Sequence, residues 1–333
     1  MKKNDAVLQK GWVVCLLALV CCCLWGSAFP SVKIGYSLFQ ITPEDTASQI
    51  LFAGARFSLA GILTIAIGST LHRRVLFPGN TSWGMVVKLS LTQTIIQYLL
   101  FYIGLANTSG VKASIIEASN VFFAILISSL IFHYETLGTG KFLGCILGFA
   151  GVVLINLNDT GFDTSMTFQG EGCILLSTLS YALSSVLIKK YGRKENPVTL
   201  SGYQFLFGGL LMTLASLLMG GRLHHFTIRS TLLLLYMAMI SAVAYSIWGI
   251  LLKHNPVGRV AVYGFMNPVC GVILSAILLK EQNQAFTFQG LLSLLLVCMG
   301  IYTVNRTTDP ATEGSIDSDW KLSGKRAQDG NSK

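Results

Sequence analysis

Apolar residues along this chain gather into ten long runs, at about 12–32, 47–69, 86–106, 113–132, 139–157, 170–188, 198–219, 231–252, 260–279 and 287–304. Most are close to the ~20 residues that a helix needs to cross ~30 Å of hydrocarbon. None alternates apolar and polar positions with the period of two that a membrane β-barrel would show. In hydrocarbon each backbone N–H must find its acceptor within its own segment, so the runs predict helices. The expected fold is an all-α integral membrane protein with ten transmembrane helices.

Composition sharpens this picture. Hydrophobic residues make up 52% of the 333 residues and charged ones 12%, against about 25% charged in soluble domains. A soluble fold of that balance would expose large apolar patches. A soluble domain, a disordered chain and a disulfide scaffold are therefore excluded. The eight cysteines all lie inside apolar runs. Cys21, Cys22 and Cys23 point in different directions on a helix and have no nearby histidine or acid, so they read as packing residues rather than metal ligands. The basic Met1–Lys10 and apolar Gly11–Leu24, followed by Gly26-Ser27-Ala28, have the form of a signal peptide. The apolar run continues through Phe29, Val32 and Ile34, however, which favours an uncleaved first helix.

The net charge of +9 carries topological information. Of 24 lysines and arginines, alternation through ten spans puts only Lys33, Lys112, Arg222, Arg229 and Lys280 outside, and Arg56 within a span; the remaining 18 fall inside. That asymmetry predicts a cell (inner) membrane protein with both termini cytoplasmic. The segment from 306 to 333, polar and with Trp320 as its one aromatic residue, is expected to be a disordered cytoplasmic tail.

Two stretches of the chain repeat each other. Lys112 precedes Arg259, and Asn120 precedes Asn267, by 147 residues; Glu135 precedes Glu281, and Gly144 precedes Gly290, by 146. Trp25 to Lys33 aligns with Tyr181 to Lys189 at a spacing of 156. The repeats span 12–157 and 170–305, five helices each. An odd number of crossings inserts the second copy upside down, giving two inverted five-helix repeats with Glu135 inside and Glu281 outside. Many secondary transporters are built this way, with the substrate at the midplane between the halves.

Trp25-Gly26-Ser27-Ala28-Phe29-Pro30 followed by Lys33 resembles the first-helix signature of the EamA branch of the drug/metabolite transporter superfamily. Asn267-Pro268, then Glu281 and Gly290, resembles its ninth-helix pattern. The first repeat carries Glu135 and Gly144, with Phe122 where the family often has proline. The resemblance covers about 12–305 and implies a ten-helix transporter of small metabolites, often amino acids or drug-like compounds.

Polar residues inside spans turn away from lipid. Gln93 and Gln97 share a face of the third run, Glu117 and Asn120 of the fourth, Ser241, Tyr245 and Trp248 of the eighth, and Tyr263 and Asn267 of the ninth. Those four helices correspond under the repeat, which suggests one central cavity of amides, hydroxyls and rings. With Trp25, the candidate substrate-binding residues are Gln93, Gln97, Glu117, Asn120, Tyr245, Trp248, Tyr263 and Asn267. Interhelical hydrogen bonding is the alternative for each. Glu117 is a candidate for proton coupling or for contact with a substrate amine; a structural pair with Arg56 or Lys112 is the alternative. Arg56 may be read equally as snorkelling to water, and Lys33 and Lys189 as interfacial anchors. Glu135 and Glu281 are expected to cap or orient the helices that follow them. Gly144, Gly148 and Gly151 are expected to let helices approach closely.

The favoured function is a secondary transporter, exporting a small amino-acid-like or amphipathic metabolite by alternating access. A channel, a membrane-embedded sensor and, less favoured, an intramembrane enzyme are the alternatives. The chain has no ATP-binding motif, no metal pair and no nucleophile–base pair. No catalytic residue, metal or cofactor is expected; the partners are a small-molecule substrate and the lipid bilayer, not nucleic acid. Assembly stays open between monomer and homodimer.

Overall fold

The computed structural model describes residues 7–132, 137–155, 157–158, 161–162, 167–192, 194–255, 260 and 262–306. Glu135, Arg259 and the tail after 306 lie outside these residues, as do the side chains of Lys189 and Asn305. The described chain is helical: α1 (Gly11–Phe39), α2 (Thr46–His72), α3 (Asn80–Ala106), α4 (Gly110–Ile131), α5 (Thr139–Ile155), α6 (Cys173–Tyr191), α7 (Pro197–Leu218), α8 (Ile228–His254), α9 (Met266–Leu278) and α10 (Phe288–Arg306). Among the described residues seven helices are long and apolar enough to cross a membrane, and α5, α9 and the Phe288–Val304 part of α10 are shorter apolar helices. The strand pairing described is a two-residue bridge, Leu157–Asn158 with Gly161–Phe162, between α5 and α6.

α1 continues seven residues beyond its expected end near 32. Pro30 sits inside it, and Val32, Tyr36 and Phe39 beyond the proline are buried in the central core. Lys33 lies within α1, and its ammonium donates to the Thr108 carbonyl, in the connection between α3 and α4, at 2.5 Å. One helix is interrupted, and another begins from a 3-10 turn. α4 breaks at Ala118–Ser119, and the freed Glu117 carbonyl accepts the Asn120 amide at 2.6 Å. α9 is entered through a 3-10 turn, Val262–Phe265, ahead of Asn267 and Pro268. Proline within the first helical turn loses no hydrogen bond, because that N–H has no intrahelical acceptor.

α2 packs along α7, and α5 along α10, more extensively than any other pairs; α1 packs on α8 and α9, α6 on α3 and α4, α8 on α2, α3 on α7, and α4 on α9. Glycines make the α5–α10 contact close. A Cβ on Gly144 would lie 2.8 Å from the Gly300 carbonyl oxygen, and one on Gly151 2.6 Å from that of Ser293. Gly148 instead makes room for the Phe122 ring.

The connections sort into two ends. At one, the Ser216 hydroxyl donates to the Ala47 carbonyl at 2.6 Å, and the Arg222 N–H to the Ser48 hydroxyl at 3.0 Å. Glu171 accepts the Thr108 hydroxyl at 2.6 Å and pairs with Lys112 at 3.8 Å. Gln289 donates to the carbonyls of Leu154 and Leu157. Glu281 does not cap the helix after it. Its carboxylate accepts the N–H groups of Gly110 (3.1 Å) and Val111 (2.9 Å), and so caps α4. A carboxylate is favoured there by the unsatisfied N–H groups and by the helix dipole. At the opposite end, Asn255 donates to the Leu8 carbonyl at 3.0 Å, and Glu195 accepts the Ser82 hydroxyl at 2.7 Å and the Gly79 N–H at 3.1 Å. Partial burial raises the Glu195 carboxyl, but the Asn196 N–H, the Ser82 hydroxyl, the Gly79 N–H and the Arg74 charge together hold it below the usual carboxylate range. Among the described residues these contacts join odd-numbered connections to odd-numbered ones, and even-numbered connections to one another or to the N-terminal segment.

Candidate functional site

A cavity of about 210 Å³ opens among α1, α2, α3, α4, α6, α8 and α9, next to the break in α4 and the start of α9. α1 contributes Cys22, Trp25 and Phe29; α2 contributes Arg56; α3 contributes Gln97, Tyr98 and Phe101; α4 contributes Glu117, Asn120 and Val121; Tyr181 comes from α6, Tyr245 and Trp248 from α8, and Asn267 and Pro268 from α9. Of the nine residues chosen from sequence, seven line it: Trp25, Gln97, Glu117, Asn120, Tyr245, Trp248 and Asn267. The Trp25 ring packs edge-on against Tyr245 at 5.5 Å between centroids and tilted against Trp248 at 5.2 Å. Such pairs contribute about 0.5–1.5 kcal/mol beyond their buried area and hold one wall of the cavity in place.

Two chosen residues stand behind the wall. Gln93 lies in a π segment, Ser90–Ile96, whose wider turn breaks the face it would share with Gln97. Its amide oxygen accepts the Gln204 amide at 2.5 Å, and its amide nitrogen donates to the Tyr245 hydroxyl at 3.4 Å. Tyr263 falls in the 3-10 turn before α9, so it does not share an α-helical face with Asn267. Its ring joins the cluster of Val14, Ala18, Leu251 and Val260, and its carbonyl accepts the Cys22 thiol at 3.5 Å.

Arg56 is only 2% exposed and does not snorkel. Its Nε donates to the Met237 carbonyl at 3.2 Å, Nη1 to the Tyr102 hydroxyl at 3.0 Å and Nη2 to the Ser241 hydroxyl at 3.3 Å. The guanidinium carbon lies 4.9 Å from the Phe57 ring centroid and 5.9 Å from that of Tyr98. Neither structural partner considered for Glu117 is engaged with it. Arg56 is held by uncharged groups, Lys112 pairs with Glu171, and Glu117 Oε2 is buried without a hydrogen-bond partner. A cation and a carboxylate therefore stand in one cavity without an ion pair between them. No group of three or more potential metal ligands occurs among the described residues. Cys23 and Cys270 meet across the α1–α9 contact with sulfurs 3.1 Å apart.

Tyr181 was readable in the repeat, since it aligns with Trp25 at a spacing of 156. Tyr98 gave no such signal. It follows Gln97 directly, and its placement depends on the close contact of its ring with Phe57 at 4.0 Å.

The EamA-like transporter family model matches residues 12–157 and 168–306. The chain belongs to the EamA-like transporter family. This EamA-like chain is 28% identical over 302 residues to an uncharacterized transporter of Synechocystis, covering 85% of this chain and 87% of that one. It is 27% identical over 304 residues to an Escherichia coli protein named "Probable amino-acid metabolite efflux pump", covering 88% and 94%. A solved crystal structure aligns with a TM-score of 0.61 at 18% identity, over 90% of this chain and 99% of the other. At that identity the likeness is one of fold. Family membership and the apolar helices together make this a multi-pass membrane protein whose relatives are named as transporters.

Proposed function

We propose that the chain is a secondary transporter that exports a small amino-acid-like or amphipathic metabolite by alternating access. The observation that carries this reading is the cavity lined by amides, a carboxyl group and aromatic rings beside the break in α4 and the 3-10 entry to α9. Discontinuous helices at mid-depth offer free backbone groups and hinge points to a bound solute. Trp25, Gln97, Glu117, Asn120, Tyr245, Trp248 and Asn267 contact the solute, while Gln93 and Tyr263 position Tyr245 and the entry to α9.

Ten spans in two inverted repeats fit the packing. If each helix of the first half is exchanged for the one five later, α1–α8 becomes α6–α3, α1–α9 becomes α6–α4, and α2–α8 becomes α7–α3; all of these pairs are in contact. The break after Ala118 also falls at the repeat-equivalent of Phe265, where the 3-10 turn ends. Phe122 in place of proline does not remove the break, which lies upstream of it. The positive charge asymmetry supports cytoplasmic termini.

In this reading one end is closed. α4 and α9 pack there through their Gly110–Glu117 and C-terminal parts, with a Cβ on Gly110 reaching within 2.6 Å of the Ser275 hydroxyl and one on Gly271 within 2.6 Å of that of Ser114. Glu281 and Lys33 tie the same end. Opening it breaks these ties, and the opposite end then closes through the exchanged contacts. Purified protein in liposomes tests the reading with a panel of amino acids, nucleobases and amphipathic cations. Saturable flux stimulated by solute on the far side is expected. A non-saturating conductance, or no flux above empty liposomes, would contradict it.

A further inference from the structure

The hydrogen-bond balance of the cavity is one-sided. The buried side-chain nitrogen and oxygen atoms without a partner, among the described residues, are all oxygens. Three of them belong to cavity-lining residues on three different helices: Gln97 Oε1 on α3, Glu117 Oε2 on α4 and Asn267 Oδ1 on α9. Gln97 is 4% exposed and Glu117 9%. Each oxygen is a carbonyl or carboxylate acceptor. Several donors nearby are turned to other acceptors: Asn120 to the Glu117 carbonyl, Cys22 to the Tyr263 carbonyl, and an N–H of each Arg56 nitrogen to an uncharged acceptor. A buried acceptor left unmade is unfavourable, and a carboxylate more so. Among the described residues none of these three oxygens is met by a donor of the protein.

We propose that Gln97, Glu117 and Asn267 form a seat for a primary ammonium group of the transported solute, a reading that rests on the carrier function proposed above. A primary ammonium brings three N–H donors and one charge to a small volume. Water brings two donors and no charge. A hard divalent ion asks for about six or more oxygens. A quaternary ammonium carries the charge but no donor. Trp25, Tyr245 and Trp248 receive the apolar part of the solute on the adjoining wall. Arg56 stands in the same cavity with no carboxylate partner, so an α-carboxylate on the solute is accepted but does not define the seat.

Four probes that differ at one group separate the contributions: L-leucine, 3-methylbutylamine, the N,N,N-trimethyl derivative of that amine, and 4-methylpentanoate. None of them fluoresces, so binding to detergent-solubilised protein is read from the emission of Trp25 and Trp248 against a Trp25→Phe, Trp248→Phe control, and flux from reconstituted liposomes. Leucine and the primary amine are expected to bind about tenfold or more tightly than the quaternary amine and the deaminated acid, the difference made by hydrogen bonds to a charged group. Glu117→Gln is expected to weaken the primary amine by a similar factor and not to weaken 4-methylpentanoate, which carries the same sign of charge as the group removed. Equal binding of primary and quaternary amines by the unsubstituted protein would overturn the seat, and that result does not depend on any variant folding. Tighter binding of 4-methylpentanoate than of the amine would overturn it as well. In both cases the carrier reading stands if leucine or another solute of the panel still shows saturable, exchange-stimulated flux.

Discussion

Replacing Gly209 with valine is expected to remove most folded protein from the membrane. Gly209 of α7 lies against the backbone of α2: a Cβ there would sit 2.4 Å from the Ser58 amide nitrogen and 2.8 Å from the Phe57 carbonyl carbon. From the other side, a Cβ on Gly61 would lie 2.4 Å from the Leu206 amide nitrogen, and one on Gly54 2.6 Å from that of Thr213. The atoms in the way belong to helix backbone and cannot swing aside. α2 and α7 must separate, and with them the Phe57–Phe205 contact at 5.5 Å. In a membrane, where lipid tails are as apolar as leucine, close packing of small residues holds helices together. Overpacking a tight contact costs about 1–3 kcal/mol, and here it also disturbs the wall that carries Arg56. Fluorescence-detected size-exclusion chromatography and melting temperature measure the effect. Gly84→Ala, whose added Cβ meets nothing within 4 Å, should behave as the unsubstituted protein. A Gly209→Val protein with unchanged yield and melting temperature would show that α2 and α7 do not pack this closely.

The second large effect is expected at Arg56. Arg56→Lys should lower transport about a hundredfold while leaving folded protein, because one ammonium cannot reproduce a planar fork of donors. The fork joins α2 to the Met237 carbonyl and Ser241 on α8 and to Tyr102 on α3. Losing it frees Tyr102 and Ser241 and leaves the Met237 carbonyl unpaired, each orphaned group costing about 1–3 kcal/mol. The ring stacking on Phe57 is weakened too. Initial rates in counterflow, taken with melting temperature, separate lost transport from lost folding. Transport by Arg56→Lys at the unsubstituted rate would reduce Arg56 to a packing residue.

The helices were legible because hydrocarbon leaves a chain few options, and the apolar runs fall within a few residues of most of them. α1 beyond Lys33 was not legible, since a lysine amid Gly35 and Ser37 resembles the end of a span; the Thr108 carbonyl and the Glu281 carboxylate, both distant in sequence, accommodate that charge. The interruption of α4 was missed for a similar reason. Ala118–Ser119 contains neither glycine nor proline, and the break is stabilised by the Asn120 amide. Helical spacing found six cavity residues and the first-helix signature a seventh, Trp25; Gln93 and Tyr263 fall off the lining, where a π segment and a 3-10 turn change the number of residues per turn. Glu281 showed the limit of local reasoning. A carboxylate before a helix suggests a cap for that helix, yet its partners are the N–H groups of Gly110 and Val111, 170 and more residues away.

Alternating access as proposed requires two five-helix halves threaded through the bilayer in opposite senses. Gly138 and Gln284 are repeat-equivalent, both are exposed, and each follows one of the paired glutamates by three residues. In a cysteine-free background, Gln284→Cys is predicted to react with a membrane-impermeant maleimide on intact cells, and Gly138→Cys only after permeabilisation. Reaction of both from the same side of the membrane would contradict it.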